Sequence, residues 1–242
     1  MAVELRHFLS EESPCDYLPR ERATIEYRVM AELGPEELEQ LLSRGWRRFG
    51  PVIFRPACRG CHECVSLRLP VADFSPSRSQ RRARNRCRDL TVEMGPPQVD
   101  QERLDLHARW HAAREESRGW EGSPLEAVDY AWQFGLGDPC SREVAYRLDG
   151  KLVGLGICDE TDVAYSAVYF FHDPACARLS LGVNHIVNLM ERARQDRKSH
   201  VYLGYRVMGC PSMRYKAGFR PHELLVGRPG IGQSARWQPG IP

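Results

Sequence analysis

The spacing of apolar and polar residues along the chain predicts alternating helices and strands. Helical spacing, with caps or glycine stops at several ends, predicts helices over 35–44, 101–114, 123–134 and 182–194, and a helix or helical turn over 77–89. Short apolar or alternating runs predict strands over 46–54, interrupted at Gly50-Pro51, and over 65–71, 90–94, 143–148, 151–157, 163–171, 200–204 and 223–226. The chain is therefore expected to be a mixed α/β protein.

Turn signals divide this pattern into segments. Asp149-Gly150, between two predicted strands, is typical of a β-hairpin turn. Gly95-Pro96-Pro97 is the strongest interruption in the chain and predicts a domain boundary. We therefore expect an N-terminal cysteine- and arginine-rich domain over 1–95, a second domain over 96–228, and a flexible Gly- and Pro-rich tail over 229–242.

The order of elements in the second half is informative about the fold. Two helices, a hairpin, a strand, a helix, a strand, a short helix and a final strand are compatible with an acetyltransferase-like domain of the α/β (α+β) class. We expect the smaller N-terminal domain to pack on it. In that fold a helix begins after a central strand and its first amides bind a phosphate or carbonyl oxygen. Here the helix start, residues 178–182, lacks the full glycine-rich pattern of coenzyme A binders, which counts against an acetyltransferase.

Composition narrows the class of protein and its compartment. The 242 residues include 42% hydrophobic and 27% charged residues, as in ordinary globular proteins. No run of 18 apolar residues and no secretory leader is present, so neither a membrane span nor export is expected. Nine cysteines, an odd number, then favour reduced thiols or metal ligation over disulfides. We expect a cytoplasmic protein with no membrane partner.

One short segment concentrates positive charge although the net charge of the chain is only +2. Six arginines occur within eleven residues: Arg78, Arg81, Arg82, Arg84, Arg86 and Arg88. Such a patch can contact nucleic-acid phosphates, or it can hold an acidic side chain by bidentate pairing. The alternative is an ordinary solvated helix face.

A second cluster has the composition of a metal site. Cys58, Cys61 and Cys64 are spaced two residues apart, so their thiolates can converge on one ion. Soft thiolates suit zinc or an iron–sulfur cluster, and a tetrahedral site needs a fourth ligand. The alternative is that these cysteines are free and simply pack.

The most specific feature of the sequence is a block near its end. Residues 202–216 read Tyr-Leu-Gly-Tyr-Arg-Val-Met-Gly-Cys-Pro-Ser-Met-Arg-Tyr-Lys. This block closely resembles the C-terminal motif of the arginyl-tRNA–protein transferase family. Further blocks resemble that family in the same order, over about residues 13–226. Those that resemble its bacterial, leucine-transferring branch are 16–19, 44–50, 54–56, 58–64 and 77–82, and those that resemble the family's middle are 166–169, 173–174 and 180–182.

The resemblance implies an activity. The family's reaction is attack by the α-amino group of a protein on the ester of an aminoacyl-tRNA, which needs neither ATP nor a cofactor. The bacterial branch implies transfer of leucine from Leu-tRNA to an N-terminal Asp or Glu, in a protein-degradation pathway. Arginine as the transferred residue is the alternative.

The resemblance also implies roles for individual residues. Tyr205, Tyr215 and Lys216 are candidates for positioning and proton transfer, and Cys15 is the leading candidate for the fourth metal ligand. Candidate acceptor-binding residues are Arg78, Arg81, Arg82 and Arg214, and candidate tRNA-binding residues are Arg84, Arg86 and Arg88. We expect the arginine run and the Tyr205–Lys216 segment to line one cleft.

Two other functions stay open from the sequence. The chain could be an N-acetyltransferase that uses acetyl-coenzyme A, which binding of coenzyme A would reveal. It could also be a non-catalytic, metal-containing RNA-binding protein, which would bind tRNA without transferring its amino acid.

Overall fold

The computed structural model describes residues 2–118, 125–135 and 139–240. Within these ranges the strands are β1 (Val3–Leu9), β2 (Ser13–Pro14), β3 (Arg22–Ala23), β4 (Ile25–Ala31), β5 (Arg47–Phe49), β6 (Val52–Pro56), β7 (Val65–Pro70), β8 (Thr91–Gly95), β9 (Ser141–Leu148), β10 (Lys151–Glu160), β11 (Ala164–His172), β12 (His200–Arg206), β13 (Glu223–Leu225) and β14 (Trp237–Pro239). The helices are α1 (Pro35–Ser43), α2 (Arg78–Arg86), α3 (Gln101–Arg118), α4 (Ala127–Phe134), α5 (Leu181–Gln195) and α6 (Pro211–Arg214), with 3-10 turns at Pro174–Leu179 and Tyr215–Gly218.

The described strands form two main sheets. A four-stranded antiparallel sheet has the order β1-β4-β6-β5, and an eight-stranded sheet has the order β14-β13-β7-β12-β11-β10-β9-β8. Every described pair in the larger sheet is antiparallel except β11 with β12, which is parallel. The connection from β11 to β12 runs through α5, as parallel strands require.

The parallel pair opens into a gap, which we call the splay. β11 and β12 pair only from Ala164 with His200 to Ser166 with Tyr202. Beyond this point β11 continues to His172 against β10, whereas β12 continues to Arg206 against β7. The two strands therefore part in the middle of the sheet.

Helices cover both faces of the larger sheet. Leu181, Val187 and Met190 of α5 pack in one core with alternate residues of the strands, including Tyr146 and Val201. On the opposite face, a second core contains side chains of α3, α4 and the strands: Leu106, Tyr130, Phe134, Leu155 and Phe171. Neighbouring residues of a strand point to opposite faces of the sheet. Because helices cover both faces, residues of both orientations are buried.

The small sheet joins the larger one through α1 and β5. Leu38 and Leu42 of α1 pack with Trp46, Ile53 and Tyr202 in a third core. The expected mixed α/β class is confirmed, with a smaller N-terminal sheet packed on the larger one. No helix in the described ranges has both the length and the apolar character to cross a bilayer.

Several local expectations hold and others do not. α1 begins at the expected proline, and Asp149 and Gly150 form the hairpin turn with φ of 49° and 81°. Ser123 and Pro124, the predicted cap of α4, lie outside the described residues, and the described helix begins at Ala127. The sequence reading missed β1 and β4, although apolar residues alternate with charged ones in both.

The eight-stranded sheet contains strands from both sides of residue 95. β7 and β8 precede this position, and they pair with β12, β13 and β9, which follow it. Residues 237–239, within the expected flexible tail, form β14 and pair with β13. The division into three independent segments stays a prediction.

Candidate active site

Residues 202–216 form the end of β12 and the turn after it. Gly204 has φ of +76°, which a glycine adopts without strain, and the register with β7 shifts beside it. The chain then enters α6 and the 3-10 turn Tyr215–Gly218. This turn folds back on β12, so the end of the block lies against its beginning.

Lys216 makes the contact that joins the turn to the end of β12. Its Nζ donates a hydrogen bond to the carbonyl oxygen of Tyr205 at 3.1 Å. Burial, reinforced by the nearby guanidinium of Arg47, lowers the pKa of Lys216 to about 7. A lysine with this pKa exists in both protonation states near neutral pH, so it can accept and return a proton.

The two tyrosines proposed from the sequence lie in different environments. Tyr205 is buried, and its hydroxyl donates to the carbonyl of Gly45 at 2.8 Å, with the carbonyl of Phe54 at 3.3 Å. Burial raises its pKa far above the ordinary value. This hydroxyl therefore holds β12 to the small sheet. The side chain of Tyr215 is 49% exposed, but burial around its hydroxyl raises the pKa of that group, which therefore stays protonated.

Arg47, which the sequence reading did not single out, lies at the splay. It belongs to β5 of the small sheet, is 8% exposed, and donates from Nη2 to the carbonyl of Ala167, just beyond the last paired residue of β11. A Cβ atom added to Gly204 would lie 3.2 Å from Nε of Arg47. The guanidinium therefore reaches from β11 to β12.

The neighbouring Arg48 has a different environment. It donates to a carboxylate oxygen of Asp159 from Nε at 2.8 Å, and also to Ser141 and to the carbonyl of Gly50. Both Arg48 and Asp159 are buried. This ion pair fastens the small sheet to the β9–β10 hairpin. In sequence Arg47 and Arg48 look equivalent, and only the distant Asp159 distinguishes them.

The arginine run forms α2, whose first turn contacts the site. The helix begins with a capping box between Ser77 and Gln80, and the side-chain amide of Gln80 donates to the carbonyl of Gly218 at 3.2 Å. The first turn of α2 therefore touches the turn that contains Lys216.

The arginines themselves differ in exposure. Arg78, Arg81, Arg82, Arg86, Arg88 and Arg214 are exposed. Arg84 pairs with Glu191 of α5, and Arg86 donates to Ser180 at 2.7 Å. None of them reaches the splay by a described contact, and their predicted roles in binding stay predictions.

The four candidate metal ligands lie in one neighbourhood. Burial, followed by the charges of Cys58, Cys15 and Cys61, raises the pKa of the Cys64 thiol to about 12. Arg228 donates to the carbonyls of Cys58 at 3.1 Å and Cys61 at 2.6 Å, which orders the loop. Across the described ranges, no three His, Cys, Asp or Glu side chains are arranged to hold a metal ion.

The donor types nevertheless fit a soft metal. Neighbouring thiols need a cation to become thiolates together, and zinc or an iron–sulfur cluster supplies one. The charge of Cys64 also tends to raise the pKa values of Lys216 and Tyr205. The cysteine loop therefore borders the end of β12. The metal site stays a prediction.

Two family models match the chain. One, described as the N terminus of arginine-tRNA-protein transferase, matches residues 13–82, and the other, described as its C terminus, matches residues 102–226. Together they span most of the chain and both halves of the site.

Curated relatives match over nearly their whole length. An aspartate/glutamate leucyltransferase of Chromohalobacter salexigens is 36% identical over 99% of this chain and 94% of its own. Proteins of the same name from Helicobacter hepaticus and Campylobacter jejuni are 30% and 34% identical, covering 98% and 91% of this chain and 98% and 92% of their own. Among solved structures, FemX aligns with a TM-score of 0.46 and 10% identity, over 82% of this chain and 79% of its own.

Proposed function

Because the chain belongs to the arginine-tRNA-protein transferase family, we propose that it transfers leucine from Leu-tRNA to proteins that begin with Asp or Glu. The curated relatives named aspartate/glutamate leucyltransferase support this donor and this acceptor. At the level of residues, the proposal rests on Lys216. Its Nζ is hydrogen-bonded to the carbonyl of Tyr205 beside the splay, and its pKa is about 7.

The chemistry requires little beyond positioning and one proton transfer. The nitrogen of the acceptor's α-amine attacks the ester carbonyl carbon, a C–N bond forms, and the C–O bond to the tRNA ribose breaks. One proton leaves the amine and one is delivered to the ribose oxygen. The free amine has a pKa of about 7.7–8.0, so a base with a pKa near 7 is well matched.

We propose that neutral Lys216 accepts the proton of the acceptor amine. The hydrogen bond to the Tyr205 carbonyl fixes the position of Nζ, and burial together with the charge of Arg47 lowers the pKa of Lys216 so that part of it is neutral at physiological pH. Tyr215, exposed beside it, is available to donate to the developing oxyanion or to the ribose oxygen.

The exposed arginines of α2 suit the tRNA. A polyanion is bound by accessible cations, and Arg78, Arg81 and Arg82 lie on a helix whose first turn touches the turn of Lys216. The same arginines and Arg214 are alternatives for holding the acceptor's carboxylate. Since charged tRNA is a cytoplasmic substrate, we propose cytoplasmic action, with leucine marking the acceptor for degradation.

Radiolabelled Leu-tRNA and Arg-tRNA, each supplied with a peptide beginning with Asp or Glu, test the proposal. We expect leucine to appear on both peptides, and no transfer to a peptide with an acetylated N-terminus. Transfer of arginine alone would establish the alternative donor. Tight tRNA binding without transfer, or acetylation of the peptide from acetyl-coenzyme A, would overturn the proposed activity.

A further inference from the structure

The splay contains a buried cation whose hydrogen-bonding capacity is largely unused. Arg47 is 8% exposed, and its described hydrogen bond goes from Nη2 to the carbonyl of Ala167. A guanidinium has five N–H donors in a rigid fork. The other nitrogens have no described hydrogen bond, and none of them is among the fully enclosed polar atoms without a partner, so they can meet a ligand.

The charge of Arg47 also lacks a dedicated counter-ion. Among the residues that the structure describes, no carboxylate forms an ion pair with it. The charge of Asp159 acts on Arg47, but the carboxylate of Asp159 is hydrogen-bonded to Arg48 of the same strand. Burying a charge without a partner is costly, so such a site favours the arrival of an anion.

The shape of the site selects the kind of anion. Gly204 leaves room for the guanidinium, since an added Cβ would lie 3.2 Å from Nε and 3.5 Å from Cζ. The planar fork therefore lies against the backbone of β12, between two strands. A flat carboxylate on a short stem pairs with such a fork bidentately, whereas a nucleic-acid backbone needs an accessible surface.

The position of Arg47 relative to Lys216 suits the acceptor of the proposed reaction. Lys216 bonds to the carbonyl of Tyr205, the residue after Gly204, and Gly204 is the residue that Arg47 contacts. The carboxylate of an N-terminal Asp or Glu is separated from its own α-amine by only a few bonds. An acceptor held at Arg47 thus brings its amine toward Nζ of Lys216.

We propose that Arg47 binds the side-chain carboxylate of the acceptor's first residue and so determines the preference for Asp and Glu. This proposal rests on the proposed function, because it names the group that recognises the acceptor in the same site. The carboxylate supplies the missing counter-ion, and an amide or apolar side chain in its place leaves the charge of Arg47 buried and unpaired. Arg47 is a specificity residue and does not itself exchange a proton, although its charge helps to lower the pKa of Lys216.

Two variants of Arg47 separate charge from geometry. Arg47→Met removes both the charge and the fork and keeps an extended apolar chain, while Arg47→Lys keeps the charge and loses the fork. Arg142→Met is the matched control, because Arg142 is a strand arginine, in β9 of the larger sheet, that pairs with Glu160. Circular dichroism and thermal unfolding of all three establish that the proteins compared are folded.

The transfer assay uses four peptides that differ only in the first residue: Asp, Glu, Asn or Gln. For Arg47→Met we expect kcat/KM with the Asp and Glu peptides to fall about 30-fold or more relative to kcat/KM with the Asn and Gln peptides. A smaller decrease common to all four peptides is expected as well, because loss of the guanidinium raises the pKa of Lys216. Arg47→Lys should lose less, and Arg142→Met should keep the wild-type preference. A binding titration of Leu-tRNA should give the same affinity and salt dependence for the wild type and Arg47→Met.

The result that overturns the proposal is an unchanged preference for Asp and Glu over Asn and Gln in Arg47→Met. Loss of tRNA affinity with that preference intact would instead assign Arg47 to a phosphate. If Arg47→Met does not fold, the Arg47→Lys variant tests the proposal. An undiminished preference for Asp and Glu over Asn and Gln in that variant, which lacks the guanidinium fork, would contradict bidentate binding.

Calorimetric binding of the same four peptides, without tRNA, separates this inference from the proposed function. If the wild type transfers no leucine, the proposed function fails. The assignment of Arg47 then stands only if the wild type binds the Asp and Glu peptides more tightly and an Arg47 variant loses that difference. Equal binding of all four peptides by the wild type would overturn it.

Discussion

Burial has different consequences for two neighbouring side chains at the end of β12. It raises the pKa of the Tyr205 hydroxyl, which stays protonated and donates to backbone carbonyls of the small sheet. It lowers the pKa of Lys216 to about 7, because the charged form of an amine loses hydration. The tyrosine is therefore suited to structure and the lysine to proton transfer.

The lysine predicts a specific dependence of transfer on pH. Its neutral form, the base, is populated as pH rises through about 7, so we expect single-turnover rates to increase over that interval. Lys216→Met should lower the rate about 10²–10⁴-fold, as loss of general base catalysis does. The remaining activity should then follow the pKa of the acceptor amine alone, about 7.7–8.0.

A lysine elsewhere in the fold provides the control for this measurement. Lys198→Met removes an amine that bonds to the carbonyl of Thr161, and it should leave the pH profile unchanged. If Lys216→Met and the wild type share one profile and one rate, Lys216 does not act on the proton.

The residue types in the site were predictable, and their surroundings were not. Lys216 and Tyr215 stand out in the sequence because a dense polar group follows an apolar run. Arg47 does not, because Arg48 beside it has the same chemistry. The difference arises from Asp159, more than a hundred residues away, which pairs with only one of the two.

At the level of elements, one glycine of β12 lies where the Arg47 guanidinium meets the splay. Gly204 combines φ of +76° with the close approach of the Arg47 guanidinium. Gly150, in the β9–β10 turn, has nearly the same backbone conformation, φ of +81°, but an added Cβ would meet no atom within 4 Å. A side chain at Gly150 would therefore cause backbone strain alone, whereas a side chain at Gly204 would cause the same strain and also displace Arg47.

Replacing each glycine by alanine tests this separation. Both variants should lose about 1–2 kcal/mol of unfolding free energy, because an L-residue is strained in the left-handed region. Gly204→Ala should lose more and should also transfer leucine more slowly, since the guanidinium must move. Urea denaturation and the transfer assay measure the two effects. Equal losses of stability, with activity unchanged in both variants, would contradict a role for the close approach.

Elements with local signals were predicted well, and elements defined by distant partners were not. α1, α2 and the β9–β10 hairpin carry caps or turn residues in their own sequence. The splay carries none, because it results from β11 and β12 choosing different partners beyond Ser166. For the same reason the Gly-Pro-Pro signal at 95–97 did not indicate that the large sheet extends across it.

For the whole molecule, the cysteine loop links the N-terminal segment to the transfer site. We expect protein prepared without oxygen to contain zinc or iron, and chelation to lower its thermal midpoint, because ligation is coupled to folding. Cys58→Ser and Cys61→Ser should reduce both the metal content and the midpoint. Cys176→Ser, which alters a cysteine at the 3-10 turn before α5, should change neither. Elemental analysis that finds no more metal in the wild type than in Cys58→Ser would contradict the site.

The position of β7 sets the timing of assembly during synthesis. β7 lies between β12 and β13, yet both of these partners are translated long after it, as the register of Pro70 with His200 illustrates. The small sheet uses strands from residues 3–56 and can close early. At the usual rate of translation, β7 then waits on the order of ten seconds for its first neighbour to leave the ribosome. During that interval its apolar residues Leu67 and Leu69 are exposed in the nascent chain, so chaperone binding is expected to concentrate there.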